Sequence, residues 1–154
     1  MRRLLLTLLL VPLLLVQPAS AKEAGATLYP GVSLRFEHLT IDDGLSQSAG
    51  LALLQDSHGY LWVGSQDGLN RYDGYHITQF KHDPEDPDTL GFNSIIELYE
   101  SSDGFLWIGT WGGGLDRYDP RMGKFSHYLP GDDPSSAVVT AIVEVDGALW
   151  VGSL

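Results

Sequence analysis

One phrase recurs along this chain and constrains its fold more than any other feature. It reads Gly59-Tyr-Leu-Trp62-Val-Gly64-Ser65, then Gly104-Phe-Leu-Trp107-Ile-Gly109-Thr110, then Gly147-Ala-Leu-Trp150-Val-Gly152-Ser153. The tryptophans lie 45 and 43 residues apart, each with a glycine three places before and two places after. A period of this length marks a repeat architecture, in which a single unit cannot bury its apolar face and stacks on a neighbour.

Within each period, short runs of β-type residues are separated by glycine and Asp/Asn turns. In the first, Gly50–Gln55 suits a buried inner strand, and 60–64, 69–72 and 75–81 follow as the second, third and fourth strands. Asp73-Gly74 supplies a hairpin signal, because glycine accepts positive φ. The second period repeats the order at 93–99, 105–109, 115–118 and 124–128. Gly68-Leu-Asn-Arg71-Tyr-Asp73 and Gly114-Leu-Asp-Arg117-Tyr-Asp119 match closely, so Arg71 and Arg117 join the tryptophans and Gly64, Gly109 and Gly152 as structural repeat positions. A third period opens at Val138 and reaches Trp150.

Four antiparallel strands in about 45 residues make the blade of a β-propeller, so the expected class is all-β with an incomplete ring. A buried Trp between sheets covers about 200 Å² and contributes at most about 5 kcal/mol. Phe36-Glu-His38, Phe80-Lys-His82 and Phe125-Ser-His127 stand 44 and 45 residues apart, and this spacing predicts that 34–39 is an outer strand closing a final blade. The expected organisation is 34–154 as a partial propeller, with blade 1 at 45–82, blade 2 at 90–129 and the start of blade 3 at 136–154. Propellers have 4–8 blades, so the chain is expected to be the opening of a longer protein. Its open third sheet and the strand around Phe36 leave edges that predict self-association of residues 22–154.

The first 21 residues are a different material. Met1-Arg2-Arg3 is basic, Leu4–Val16 is a thirteen-residue apolar run, and Ala19-Ser20-Ala21 is a small-residue exit. That layout predicts a secretory signal peptide at 1–21, followed by a linker at 22–33. A retained anchor fits poorly: thirteen helical residues span about 20 Å against a hydrocarbon core of about 30 Å, and Pro12 weakens the helix. Losing Arg2 and Arg3 removes two of nine basic residues and none of the 20 acids, so the formal charge moves from −11 to −13. Such a surface repels phosphate backbones and argues against nucleic acid as a partner. With no cysteine, an exported chain must rely on packing for stability.

The motifs resemble the two-component regulator propeller repeat, an Asp-x-x-Gly-x-Leu-Trp-Ile-Gly-Thr strand pair followed by Gly-Gly-Leu-x-Arg-Tyr-Asp. Asp56–Ser65, Leu106–Thr110 and Gly113–Asp119 carry the likeness, which extends over about residues 34–154. The resemblance implies a periplasmic sensor region of an inner-membrane receptor. It also implies remaining blades and downstream domains in the same chain, an output of histidine kinase or diguanylate cyclase type, and a homodimeric full-length receptor. WD-repeat and quinone-dependent dehydrogenase propellers match less well.

Candidate site residues are few. His38, His58, His76, His82 and His127 lack metal-ligand spacing, and no metal is expected. The acidic runs Asp83–Asp88 and Gly131–Pro134 lack the glycine and terminal Glu of a calcium loop and suit solvated connections between blades. Gly112-Gly-Gly114 lacks the following helix of a phosphate cradle. No catalytic residue and no cofactor is expected. Trp111 is an insertion relative to Ser65-Gln66-Asp67 in blade 1. Two readings are open: the indole stacks on a sugar ring, with Gln66, Asp67 and Asn93 as hydrogen-bonding partners, or it packs against an adjoining blade. The expected partner is therefore a small ligand, an oligosaccharide being the specific suggestion. The expected function is a ligand-sensing propeller without chemistry of its own. The alternatives are a cyclase receptor's sensor region, a secreted polysaccharide-active enzyme and a secreted interaction scaffold.

Overall fold

The computed structural model of the protein describes residues 35–129 and 137–154, and the chain divides into two units, Met1–Glu37 and His38–Leu154. The leader, the linker and the Gly131–Pro134 run lie outside the described residues. In the first unit, Arg35 Nη2 stands 3.0 Å from Glu37 Oε1. All ten strands fall in the second. No helix among the described residues is long and apolar enough to cross a membrane.

The second unit starts with a 3₁₀ turn, Ile41–Asp43, capped reciprocally by Thr40 and the Asp43 side chain. Strands β1 (Gly50–Gln55), β2 (Leu61–Ser65), β3 (Gly68–Tyr72) and β4 (Ile77–Phe80) pair in that order as an antiparallel sheet. The order recurs in β5 (Ile95–Glu100), β6 (Leu106–Thr110), β7 (Leu115–Asp119) and β8 (Lys124–Tyr128). A third sheet consists of β9 (Val139–Val145) and β10 (Ala148–Ser153), joined by a two-residue turn. That turn places Asp146 at φ 52° and Gly147 at φ 75°, the positive-φ pair that matches the twist of a tight hairpin.

Register makes the three sheets equivalent. Trp62 pairs across with Leu54 and Arg71, Trp107 with Tyr99 and Arg117, and Trp150 with Val143. Side chains alternate between faces along a strand, so each sheet offers its Trp face to the next sheet and its opposite face to the previous one. Between blades 1 and 2, Trp62, Leu69 and Phe80 meet Leu98, Leu106, Tyr118 and Phe125. The Trp62 and Phe80 ring centroids are 5.6 Å apart, and Tyr118 stands edge-on to both at 5.5 and 5.4 Å. Between blade 2 and the third sheet, Trp107, Tyr99 and Leu115 meet Val139, Ile142, Leu149 and Val151.

Two sequence expectations need correction. The run Gly50–Gln55 is a strand, but its outer face is open: Leu53 is 69% exposed, whereas Ala52 and Leu54 pack on the core. An all-apolar strand is buried on both faces only when a sheet lies on each side, and among the described residues none covers Leu53. The Phe-x-His match also fails as an equivalence. Leu69 pairs with Phe80, but Leu115 pairs with Tyr128, and Phe125 lies opposite Tyr118 where Ile77 lies opposite Tyr72. Phe80 therefore corresponds to Tyr128, because the β7–β8 connection is two residues longer than the β3–β4 connection. The spacing argument for an outer strand at 34–39 loses its basis, and residues 35–40 have no regular secondary structure.

Candidate functional site

The connections between blades collect at one end of the sheets. The β2–β3 turn carries Gln66 and Asp67, and Gly68 N donates to Asn93 O of the segment entering β5 (2.8 Å). The next residue, Ser94, accepts from Trp111 N at 2.9 Å, and Gly112 N and Gly114 N both donate to Ala137 O. The four candidate residues thus lie along one continuous line of backbone hydrogen bonds.

Their side chains have different employments. Asn93 Oδ1 accepts from His82 N at 2.8 Å, so Asn93 fastens the blade 1–blade 2 connection. Asp67 is paired with Lys81 Nζ at 2.7 Å. The exposed Gln66 is held through its backbone by Gln47 Oε1. Trp111 remains 55% exposed, on a turn that is itself tightly fixed. Thr110 Oγ1 donates to Gly114 O and accepts from Gly113 N, and the Phe92 ring lies against Gly112 closely enough that a Cβ there would meet it at 3.2 Å. An exposed indole on a braced backbone is a platform, since aromatic faces stack on apolar ring surfaces with little ordering cost. Near it on β5, Glu97 occupies the position of Ala52 and Ala141, as its pairing with Gly109 shows. Burial pushes the Glu97 carboxyl above its ordinary value.

Two sets of polar residues escaped the sequence reading. Asn70 and Asp116, the variable residue of Gly-Leu-x-Arg-Tyr, are fully buried and clamp the segment entering each blade. Asn70 binds Ser46 through its amide (2.8 and 2.9 Å), and Asp116 accepts from Gly91 N at 2.7 Å. Asp116 also faces His127 Nδ1 at 2.8 Å, while His127 Nε2 faces Pro87 O at 3.0 Å. Both ring nitrogens thus meet acceptors, which the doubly protonated imidazolium satisfies. Burial works against that charge, but the Asp116 hydrogen bond and carboxylate outweigh it and raise the His127 pKa. Burial likewise pushes the Asp116 carboxyl up, against the opposing pull of His127 and Gly91. The second set is a clasp that repeats. Ser57 N and Oγ donate to the two oxygens of Glu100, both at 2.7 Å, and Ser102 N and Oγ donate to those of Glu144 at 2.8 and 2.6 Å. The signal was present, since Ser57 and Ser102 keep the 45-residue period and Glu100 and Glu144 keep 44.

A groove of about 420 Å³ lies elsewhere, against the outer strands, where Phe80, Lys81, Met122 and Lys124 line it. Among the described residues, no group of three His, Cys, Asp or Glu side chains is placed to hold a metal ion.

The fold and its joints define a class: four-stranded antiparallel blades stacked through a Trp face, an arc of a β-propeller. The particular repeat is that of the two component regulator propeller family, whose model matches residues 44–67 and 89–112. Similar solved structures are extracellular domains from B. thetaiotaomicron. One, of a hybrid two component system, has 30% identity and a TM-score of 0.65 over 75% of this chain and 17% of that one. Another, of a one component system, has 26% identity and a TM-score of 0.62 over 77% and 17%. Histidine kinase P4 of Formosa agariphila is 44% identical over 55 residues, 36% of this chain and 4% of that protein. The chain therefore spans a small part of the length of these relatives.

Proposed function

We propose that this chain is a ligand-sensing arc of a propeller in the periplasmic part of a transmembrane receptor of two-component type. The observation that carries the reading is Trp111, exposed on a turn braced by Thr110, Phe92 and Ala137 at the end where the blade connections meet. The likeness to extracellular domains of two component systems supports the receptor context, and the match to a histidine kinase supports an output of that kind. The region itself binds and performs no chemistry. Trp111 supplies a stacking face, and Gln66 and Glu97 supply hydrogen-bonding groups, a set suited to an oligosaccharide. A ligand bound there signals only by favouring one arrangement of the blades or subunits over another.

The test is thermal shift of the protein, and of the receptor ectodomain that contains it, against a panel of oligosaccharides. The expected result is stabilisation by at least one glycan that Trp111→Ala abolishes while leaving the unliganded Tm within about 2 °C, since exposed side chains contribute little to stability. Absence of any glycan effect, or one untouched by Trp111→Ala, overturns the reading.

A further inference from the structure

We infer that the two open faces of this arc are complementary halves of one interface, so that copies of the chain associate head to tail. The joint is seen twice within the chain. A Trp face (Trp62 with Leu54, then Trp107 with Tyr99) closes on a receiving face of leucines and aromatics, and on a first inner-strand residue seated over the glycine two places after the Trp. A Cβ on Gly64 would meet Ile95 Cγ2 at 2.6 Å, and one on Gly109 would meet Val139 O at 2.5 Å.

The third sheet repeats the donating half with nothing seated on it. Trp150 is 63% and Val143 49% exposed, and around Gly152 a Cβ would meet only its own sheet, at Ala141. Blade 1 repeats the receiving half. By register Leu53, Leu61, Tyr72 and Ile77 correspond to Leu98, Leu106, Tyr118 and Phe125 of blade 2. Leu53 is 69% exposed where Leu98 is buried. The occupant of each face is therefore the other face, supplied by a second copy. The contact is heterologous, since the patch on one copy differs from the patch it meets on the next. Such contacts add subunits without limit unless the rotation closes a ring.

The joint would be weaker than those inside the chain. The serine–glutamate clasp is missing on both sides, because Gln55 stands where Glu100 does and the short Asp146-Gly147 turn has no serine. Association is accordingly reversible and concentration-dependent.

Sedimentation velocity of the full chain over a wide concentration range tests this, with Leu53→Glu, Trp150→Glu and their equimolar mixture. The expected result is a mass that rises with concentration for the unaltered chain and monomers for each variant. The mixture should give a 1:1 dimer, because each variant keeps the half that the other has lost. Circular dichroism should show β-structure unchanged in both, as the substituted side chains are exposed. Three results overturn the inference. One is a monomer at every concentration, as when the chain's own residues 1–34 cover a face. Another is association that survives either substitution, as strand-edge pairing or the apolar Leu4–Val16 run would give. The third is a mixture that stays monomeric.

Discussion

At the scale of single residues, the glycine two places after each Trp shows how a missing side chain sets the distance between sheets. Gly64→Ala and Gly109→Ala each put a methyl into a space already held by Ile95 or by the Val139 carbonyl. Overpacking of this kind costs about 1–3 kcal/mol. Gly152→Ala meets only Ala141 at 3.3 Å and should be near neutral. Denaturant midpoints of the three variants measure the contrast, and equal losses would contradict it. The buried Asp116–His127 pair makes a second prediction at this scale. Both groups have folded-state pKa values raised above their ordinary ones, so both take up protons on folding. Their contribution is full below the unfolded pKa and is lost as pH rises through the folded pKa. For His127 this loss begins near its unfolded value of 6.5. The thermal midpoint should fall as pH rises from about 6 to 8. His127→Gln should flatten that slope, with His82, whose charge also reaches Asp116, left to account for any remainder.

At the scale of elements, the turns between strands do more than reverse the chain. The β1–β2 turn holds its own Trp, with Trp62 Nε1 donating to Asp56 at 2.7 Å, and reaches to Glu100 on the next blade through Ser57. The β5–β6 turn does the same with Trp107 Nε1 on Ser101 at 3.1 Å and Ser102 on Glu144. The Ser102 hydroxyl and amide hold the Glu144 carboxyl below its ordinary value. Its stabilising contribution is present above the unfolded pKa and is lost as pH falls through the lower folded one. A double-mutant cycle of Ser57→Ala and Glu100→Gln should give a coupling of about 0.2–1 kcal/mol, the range of solvent-exposed charged contacts. A coupling of zero would make the clasp an ornament of packing.

At the scale of the molecule, stability belongs to the joints between sheets. Trp62 is 2% exposed among aromatic rings from both blades, while Trp150 is 63% exposed at the same position of its repeat. Trp62→Ala should cost about 3–5 kcal/mol. Trp150→Ala, measured at concentrations where the chain is monomeric, should stay within about 0.5 kcal/mol. Urea unfolding followed by far-ultraviolet dichroism distinguishes them.

The amino-acid sequence alone determined the repeat, the strands to within a residue or two, and the equivalence of Trp62, Trp107 and Trp150. Alternating faces and positive-φ turns are local properties written into local residues. What only the tertiary structure decided is what each face meets. Identical leucines are buried in blade 2 and open in blade 1, and Phe80 answers to Tyr128 because a longer turn shifted the register. Asn93 and Asp67 are committed to neighbouring chain while Trp111 is left free. Ser57 finds Glu100 across 43 residues. Periodicity records which side of a strand a residue occupies; only packing between strands far apart in sequence determines what is waiting there.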